Sequence, residues 1–279
     1  MNDAATPEQI SAASEVNKIS HVIGVMSGKG GVGKSLVSAL LATALANTEN
    51  RVGILDADIT GPSIPRMFGV DARPDVCDIG IFPVETGSGI KLISINLFLQ
   101  NSDDAVIWRG PLISNTIKQF WNDVFWGELD YLVVDLPPGT ADAPITVVQS
   151  LPLTCVVIVT SPQDLAAMVV RKAVNMCRKM RVPILGLVQN MAYLECPSCK
   201  ERIYPFGKAN GEELAETMGV PYLLDIPIDR DISKLADAGM IEEYKANPFV
   251  DKYAEISNAV QAAQRMQGVG ICDEDHPGR

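Results

Sequence analysis

The glycine-rich segment at residues 28–35 constrains the fold of this chain more than any other feature of its sequence. It matches the pattern G-x-x-x-x-G-K-[ST] and reads Gly28-Lys29-Gly30-Gly31-Val32-Gly33-Lys34-Ser35. An apolar run at residues 21–27 precedes it, and residues 35–47 follow with apolar side chains at helical spacing. Glycines let backbone N–H groups turn inward around an anion, and the start of a helix adds partial positive charge. The segment therefore predicts a phosphate-binding loop between a strand and a helix.

The side chains of this loop predict binding of ATP together with Mg²⁺. Lys34 is placed to reach the β and γ phosphates, and the Ser35 hydroxyl is a ligand for Mg²⁺. We expect all eight residues of the loop to line the nucleotide site. Lys29 is a second lysine that an ordinary phosphate loop does not need, and the plain alternative for it is a solvated loop side chain.

The rest of the chain alternates between apolar runs and segments of helical periodicity. The apolar runs lie at residues 51–55, 91–97, 131–135, 155–160, 185–190 and 222–226, and the helical segments at 113–124, 164–180 and in two C-terminal stretches. Unbroken strands separated by helices are typical of a parallel sheet covered on both faces. The sequence therefore predicts an α/β fold, a single P-loop NTPase domain with a mostly parallel sheet. We expect it to span residues 21–266, between a flexible N-terminal arm (1–20) and a C-terminal tail (267–279).

Length, charge and hydropathy disfavour several other classes of protein. The 279 residues suit one large α/β domain. The net charge of -11 disfavours nonspecific binding to nucleic acid or to an anionic membrane surface. No apolar run reaches the ~18–20 residues of a membrane-spanning helix, and the N-terminus lacks the basic start and apolar stretch of a signal peptide. We therefore expect a cytoplasmic protein with no nucleic-acid or membrane partner.

Three aspartates at the ends of apolar strands are candidates for the hydrolytic chemistry. Asp56 and Asp58 lie two residues apart, on one side of an extended chain, and Asp135 ends a later strand. In phosphoryl transfer the protein mainly positions water, metal and phosphate. We predict that Asp58 orients the attacking water and that Asp56 and Asp135 hold the Mg²⁺ shell, which makes the chain an ATPase. Capping of the next turn is the alternative role for any one aspartate.

Cys196-Pro197-Ser198-Cys199 form a C-x-x-C motif on a predicted loop. Two thiolates at this spacing supply half of a four-ligand site, and the chain has no second C-x-x-C. Three interpretations stay open: half of a [4Fe–4S] site, half of a zinc site, or a redox pair. The other cysteines are isolated, and we expect Cys155 and Cys177 to lie in the core because they fall in an apolar strand and a helix.

Several segments together carry a family resemblance. They are residues 27–35, 56–63 (DADITGPS), 108–111 (WRGP), 126–131 (WGELDY), 135–140 (DLPPGT), 189–191 (QNM) and 196–199 (CPSC). In this combination the chain resembles the Mrp/ApbC-type iron–sulfur cluster carrier ATPases of the MinD/ParA-like deviant Walker superfamily. The resemblance covers about residues 20–265. Gln189 departs from it, since a glutamate is usual there.

The resemblance implies a homodimer that holds a [4Fe–4S] cluster between two Cys196/Cys199 pairs and passes it to apo iron–sulfur proteins. ATP binding and hydrolysis would control loading or release. Lys29 would reach the phosphates in the partner subunit, joining Lys34 and Asp58 as a catalytic group. Asn190 would bind the adenine edge, with Pro227 and Asp229 nearby, although structural capping competes for both sites. A heterodimer with a paralogue, a MinD/ParA-type positioning ATPase and a zinc-bridged nucleotide-binding scaffold are the alternatives.

Overall fold

The computed structural model of the protein describes residues 12–58, 61, 63–98, 110–162, 166–207 and 210–269. Its strands are β1 (Lys18–Ser27), β2 (Val52–Asp56), β3 (Asp75–Cys77), β4 (Gly80–Phe82), β5 (Val84–Glu85), β6 (Lys91–Ser94), β7 (Glu128–Asp135), β8 (Cys155–Thr160), β9 (Ile184–Gln189), β10 (Leu194–Glu195), β11 (Arg202–Ile203) and β12 (Tyr222–Asp225). Its α-helices are α1 (Ala12–Val16), α2 (Lys34–Ala46), α3 (Ile64–Met67), α4 (Gly110–Asn122), α5 (Asp142–Ser150), α6 (Ala166–Lys179), α7 (Gly211–Met218), α8 (Arg230–Asp237) and α9 (Tyr253–Val269). Short 3-10 helices occur at Ile95–Phe98 and Ile241–Glu243.

Eight strands form one sheet in the order β12-β9-β8-β1-β7-β2-β6-β5. Every neighbouring pair is parallel except β5, which runs antiparallel to β6 at the edge. The strand β1 lies between β7 and β8, so the loop after it opens at the carboxyl edge of the sheet centre, where open α/β sheets bind ligands. Two hairpins, β3–β4 and β10–β11, stand apart from this sheet.

The sheet is covered on both faces because successive side chains of the central strands point to opposite sides. In β1, Ile23 and Val25 pack into a core shared with α2 and α9, whereas Val22 and Met26 pack into a second core shared with α4, α5 and α6. The strand β8 is buried at all of its residues. The predicted α/β fold, with a mostly parallel sheet between two layers of helices, is thereby confirmed.

Two boundaries differ from those expected. The N-terminal arm was expected to extend to residue 20, but β1 begins at Lys18 because Lys18 and Ile19 pair with the first residues of β7. The strand expected at 91–97 ends at Ser94. There the Ser94 hydroxyl accepts a hydrogen bond from the Asn96 N–H (3.3 Å), a local bond that competes with strand pairing and starts a 3-10 turn.

The two ends of the chain are described only in part. Residues 1–11 and 270–279, which include Cys272, lie outside the described residues, and the tail expected at 267–279 begins inside α9. Among the helices in the described ranges, none has both the length and the apolarity needed to cross a bilayer.

Candidate functional site

The loop at residues 28–35 joins β1 to α2, as its sequence predicts. Gly31 and Gly33 have φ of 77° and 81°, in the left-handed region that favours glycine, and α2 begins immediately after Gly33. Gly28 is needed for a different reason, because a Cβ there would come within 2.6 Å of the Val169 carbonyl oxygen on α6. The loop borders an open cavity of about 250 Å³, whose lining residues include Gly30, Lys34, Ser35, Asp58 and Pro138.

Lys34 points into a group of carboxylates at the carboxyl ends of β2 and β7. Its Nζ lies 2.8 Å from Asp135 Oδ2 and 3.3 Å from Asp58 Oδ2, and its side chain is 5% exposed. Burial alone would lower the pKa of Lys34, but the charges of Asp135 and Asp58 outweigh that effect and raise it. The ammonium group therefore remains charged and acts as the counter-ion of the carboxylates.

Asp56 lies behind this ion pair and is fully buried. It is opposite Asp135 in the register of β2 and β7, and it accepts hydrogen bonds from the Ser94 hydroxyl (3.1 Å) and the Asp58 N–H (3.2 Å). Burial, reinforced by the negative charge of Asp135, raises the pKa of Asp56 well above its ordinary value. The structure thus brings the three aspartates expected from the sequence to one place, with Asp56 in the deepest position.

Two serines of α2 donate to the carboxylate of Asp135. The Ser35 hydroxyl donates to Oδ2 (2.5 Å), and the Ser38 hydroxyl donates to Oδ1 (2.7 Å). Ser38 was not among the residues predicted from the sequence. The available signal was its spacing, since a residue four positions after Lys34 lies on the same face of a helix.

The polar groups at this site suit a hard cation. The side chains near Lys34 are hydroxyl and carboxylate groups, and Mg²⁺ is bound by oxygen in proteins. An ammonium group already lies against Asp58 and Asp135, which shows that this position attracts positive charge. The residues present therefore fit Mg²⁺.

Asn190 is held against the phosphate loop. Its side-chain amide donates to the carbonyl oxygen of Val32 (2.9 Å), and it is buried. A Cβ at Gly33 would lie 2.1 Å from Asn190 Nδ2, so the Asn190 side chain fits against the loop only because residue 33 is glycine. This contact braces the loop. The predicted contact of Asn190 with adenine stays a prediction.

The segment that contains Pro227 and Asp229 lies beside Asn190. The Ile226 N–H donates to the Gln189 carbonyl, and the Ile228 N–H donates to the Tyr193 carbonyl (2.7 Å). Asp229 caps α8 by accepting from the Asp231 N–H (2.8 Å), and it also accepts from the Tyr244 hydroxyl (2.7 Å). Asp229 has the capping role expected of an aspartate, and its proximity to a bound base stays a prediction. The Gln189 side chain accepts from the Gly211 N–H (2.8 Å) at the start of α7.

Cys196 and Cys199 lie in the turn of the β10–β11 hairpin, where the sequence predicted only a loop. The turn is closed by hydrogen bonds from the Cys196 N–H to the Glu201 carbonyl and from the Lys200 N–H to the Cys196 carbonyl, both 2.9 Å. Backbone N–H groups of Cys199 and Ser198 lower the pKa of the Cys196 thiol, and the charge of Lys200 adds to this effect. Such donors stabilise a thiolate, which is the form of cysteine that binds metal.

The other described cysteines have different surroundings. Burial raises the pKa of both Cys155 and Cys177 to about 12, so they stay protonated, as core thiols do. Their predicted place in the core is confirmed. Within the described ranges, no three or more His, Cys, Asp and Glu side chains form a metal site by themselves, so neither the cysteine pair nor the aspartates make a complete ligand set.

Apolar side chains are exposed next to the cysteine turn. Ile203, Tyr204 and Phe206, which we call the hairpin surface, are 50%, 39% and 48% exposed. The Arg202 guanidinium lies 4.1 Å from the centre of the Tyr193 ring, at the base of the hairpin. Trp108 and Arg109, from another segment of the sequence resemblance, lie outside the described residues, as do Ile59, Thr60 and Pro62.

Known proteins share both the sequence and the fold of this chain. An iron–sulfur cluster carrier protein of Clostridium perfringens is 48% identical over 83% of this chain and 84% of its own length. The cytosolic Fe-S cluster assembly factor Nubp2 homolog of Anopheles gambiae is 48% identical over 80% of this chain and 89% of its own length. A nucleotide-binding protein of Archaeoglobus fulgidus, solved in complex with ADP, is 48% identical and superposes with a TM-score of 0.75 over 83% of this chain and 91% of that one.

A family model also matches this chain, and the matched residues include both the phosphate loop and the two-cysteine hairpin. The family model described as ParA, NUBPL iron-transfer P-loop NTPase, matches residues 18–261, which is nearly the whole described chain. This family assignment agrees with the resemblance inferred from the sequence segments. The chain therefore belongs to the NUBPL iron-transfer P-loop NTPases of the ParA group.

Proposed function

We propose that this chain is an ATP-dependent carrier of iron–sulfur clusters that acts as a homodimer. It would hold a [4Fe–4S] cluster between two Cys196/Cys199 pairs and pass the cluster to apoproteins, with ATP hydrolysis controlling loading or release. The observation that carries the proposal is the cysteine turn, which offers two exposed or half-buried thiols and a lowered Cys196 pKa. The names of the related proteins from Clostridium perfringens and Anopheles gambiae support the same cargo.

The two-thiol turn supports a dimer because a [4Fe–4S] cluster takes four thiolates. A second copy of the chain, related by a twofold axis, would supply the other two from the same hairpin. The hairpin surface would then be covered by its symmetry mate, which removes apolar area from water. A paralogue with the same turn would form a heterodimer by the same geometry.

Release of the cluster by ligand exchange needs no redox change. A thiolate of the acceptor protein forms an Fe–S bond as the bond from Cys196 or Cys199 breaks. The proton lost by the acceptor thiol passes through solvent to the cysteine that is set free. The position of the pair in an exposed turn gives an acceptor access to the cluster.

The phosphate loop supports ATP hydrolysis as the controlling step. Lys34 and the loop N–H groups would hold the β and γ phosphates, and Asp58 would orient the attacking water. Ser35 would bind Mg²⁺ directly, with Asp135 and Asp56 fixing its surroundings, and Mg²⁺ would neutralise charge on the phosphates. Lys29, in the same loop, would contact the nucleotide of the partner subunit.

Anaerobic reconstitution with iron and sulfide tests the proposal. Wild-type protein should gain a broad absorbance at about 400 nm, typical of thiolate-bound clusters, and should transfer it to an apo [4Fe–4S] protein. Cys196→Ala and Cys199→Ala should lose both properties. Cys77→Ala is the matched control, because Cys77 is also exposed but lies alone on the β3–β4 hairpin. If Cys196→Ala assembles and transfers a cluster as wild type does, the proposal is wrong.

The alternatives give different results with the same protein. If the protein is a zinc-bridged scaffold, it would purify with zinc. In that case neither the wild-type protein nor Asp58→Ala would hydrolyse ATP. A positioning ATPase would sediment with lipid vesicles or DNA when ATP is added. The net charge of -11 supports the carrier over that second alternative, because it disfavours binding to an anionic membrane surface or to nucleic acid.

A further inference from the structure

Ser38 contacts Asp135 but has no role in the ATPase chemistry proposed above. It lies in α2, one turn after Lys34, and is fully buried. Its hydroxyl is 2.7 Å from Asp135 Oδ1 and 3.2 Å from the Lys34 carbonyl oxygen. One hydroxyl proton serves one acceptor well, and hydrogen bonds to a charged group are the shorter and stronger ones. The donor is therefore directed at Asp135.

The two oxygens of Asp135 have different sets of partners. Oδ2 is contacted by Lys34 Nζ (2.8 Å) and by the Ser35 hydroxyl (2.5 Å). In the proposed function both groups acquire new partners when nucleotide binds, since Lys34 goes to phosphate and Ser35 to Mg²⁺. Ser38 has no such second task, and its contact with Oδ1 can persist throughout the cycle.

We propose that Ser38 is a positioning residue that fixes the rotation of the Asp135 carboxylate, so that Oδ2 keeps facing Ser35 and the metal's position. The inference rests on the proposed Mg²⁺-dependent ATPase. The terminal torsion of an aspartate is broad and roughly twofold, so the carboxylate is free to turn unless a neighbour holds it. Without the Ser38 hydroxyl, the Asp135 carboxylate would lose this constant donor once Lys34 is bonded to phosphate and Ser35 to Mg²⁺.

Ser38→Ala removes this donor while keeping a residue that favours helix. Thr43→Val is the matched control, because Thr43 is also buried in α2 and its hydroxyl donates only to the Ala39 carbonyl of its own helix (2.9 Å). Circular dichroism on both variants establishes that each is folded at the assay temperature. The affinity for a fluorescent ADP analogue is then measured in excess EDTA and across a Mg²⁺ titration, and ATP hydrolysis is measured over the same titration.

In Ser38→Ala, the Mg²⁺ concentration that gives half of the maximal gain in affinity for the ADP analogue should rise about tenfold, and so should the concentration that gives half-maximal ATP hydrolysis. A tenfold change is the effect of losing one hydrogen bond to a charged group. The affinity in EDTA should stay within about twofold of wild type, and Thr43→Val should match wild type in every measurement. If folded Ser38→Ala has the wild-type Mg²⁺ dependence, or loses affinity equally in EDTA, the inference about Ser38 is wrong. If wild type itself shows no Mg²⁺ dependence, the proposed ATPase function fails together with it.

Discussion

Replacing Lys34 should destabilise the protein even in the absence of nucleotide. The Lys34→Met substitution keeps most of the side-chain volume but removes the only lysine that contacts Asp58 and Asp135 in the described residues. At an effective dielectric constant of about 20, one pair of charges 2.8 Å apart attracts by about 6 kcal/mol, and the burial of both groups offsets part of this. Breaking a buried pair by removing one partner typically costs about 3–5 kcal/mol, because the remaining charge stays buried. We expect a loss of that size at pH 7.

The pH dependence of this loss follows from the carboxylates that remain. Burial and the charge of Asp135 already raise the pKa of Asp56, and Lys34 opposes that effect. Without Lys34 the pKa of Asp56 rises further, so Asp56 binds its proton more tightly in the folded state than in the unfolded state. A raised carboxyl pKa contributes stability at low pH that is lost as the pH increases through the folded-state value. The cost of Lys34→Met should therefore be larger at pH 7 than at pH 5.

Urea unfolding of the nucleotide-free protein at pH 5 and pH 7 measures this effect. Lys18→Met is the matched control, because Lys18 also pairs with a carboxylate, Glu128 at 3.2 Å, but its side chain is 75% exposed. Exposed pairs of this kind contribute about 0–1 kcal/mol. A Lys34→Met variant no less stable than Lys18→Met, or one whose loss is the same at both pH values, would refute the account of Lys34 as a buried counter-ion.

Three further predictions concern the loop and the cysteine turn. Asn190→Ala removes the brace on the Val32 carbonyl and should weaken ADP binding about tenfold by titration calorimetry, whereas Asn50→Ala, which removes a side-chain bond to the Leu45 carbonyl far from the loop, should leave it unchanged. Cys196 should react with iodoacetamide faster at pH 7 than Cys155 or Cys177, because its pKa is lowered and theirs are raised to about 12; equal rates by peptide mass spectrometry would contradict the described environments. Lys29→Ala should abolish ATP-dependent dimerisation, while its affinity for ADP stays within about threefold of the wild-type value. If light scattering shows that the variant still dimerises with ATP, the proposed contact of Lys29 with the partner's nucleotide is wrong.

The fold and the centre of the site follow from local patterns in the sequence. The glycine-rich loop, the unbroken apolar strands and the aspartates at their ends are each recognisable within a few residues. Because parallel strands end at one edge of a sheet, their carboxyl-terminal residues meet there. Asp56, Asp58 and Asp135 therefore come together as predicted, beside Lys34.

The contacts that sequence reasoning missed depend on distant parts of the chain. Ser38 looks like an ordinary small helix residue, and only the packing of α2 against β7 brings it to Asp135. The contact of Asn190 with the Val32 carbonyl joins residues far apart in sequence, and it requires the missing Cβ of Gly33. The β10–β11 strands are two residues each, too short for any periodicity to show.

The stoichiometry of the bound cluster distinguishes a cluster shared by two chains from a cluster held by one chain. Native mass spectrometry of the anaerobically reconstituted protein measures the mass of the intact complex and of its metal cargo together. We expect two chains holding one [4Fe–4S] cluster for wild type, and single chains without a cluster for Cys196→Ala. One complete cluster bound to each separate chain, or a dimer that carries zinc and no iron and sulfide after reconstitution, would contradict this expectation.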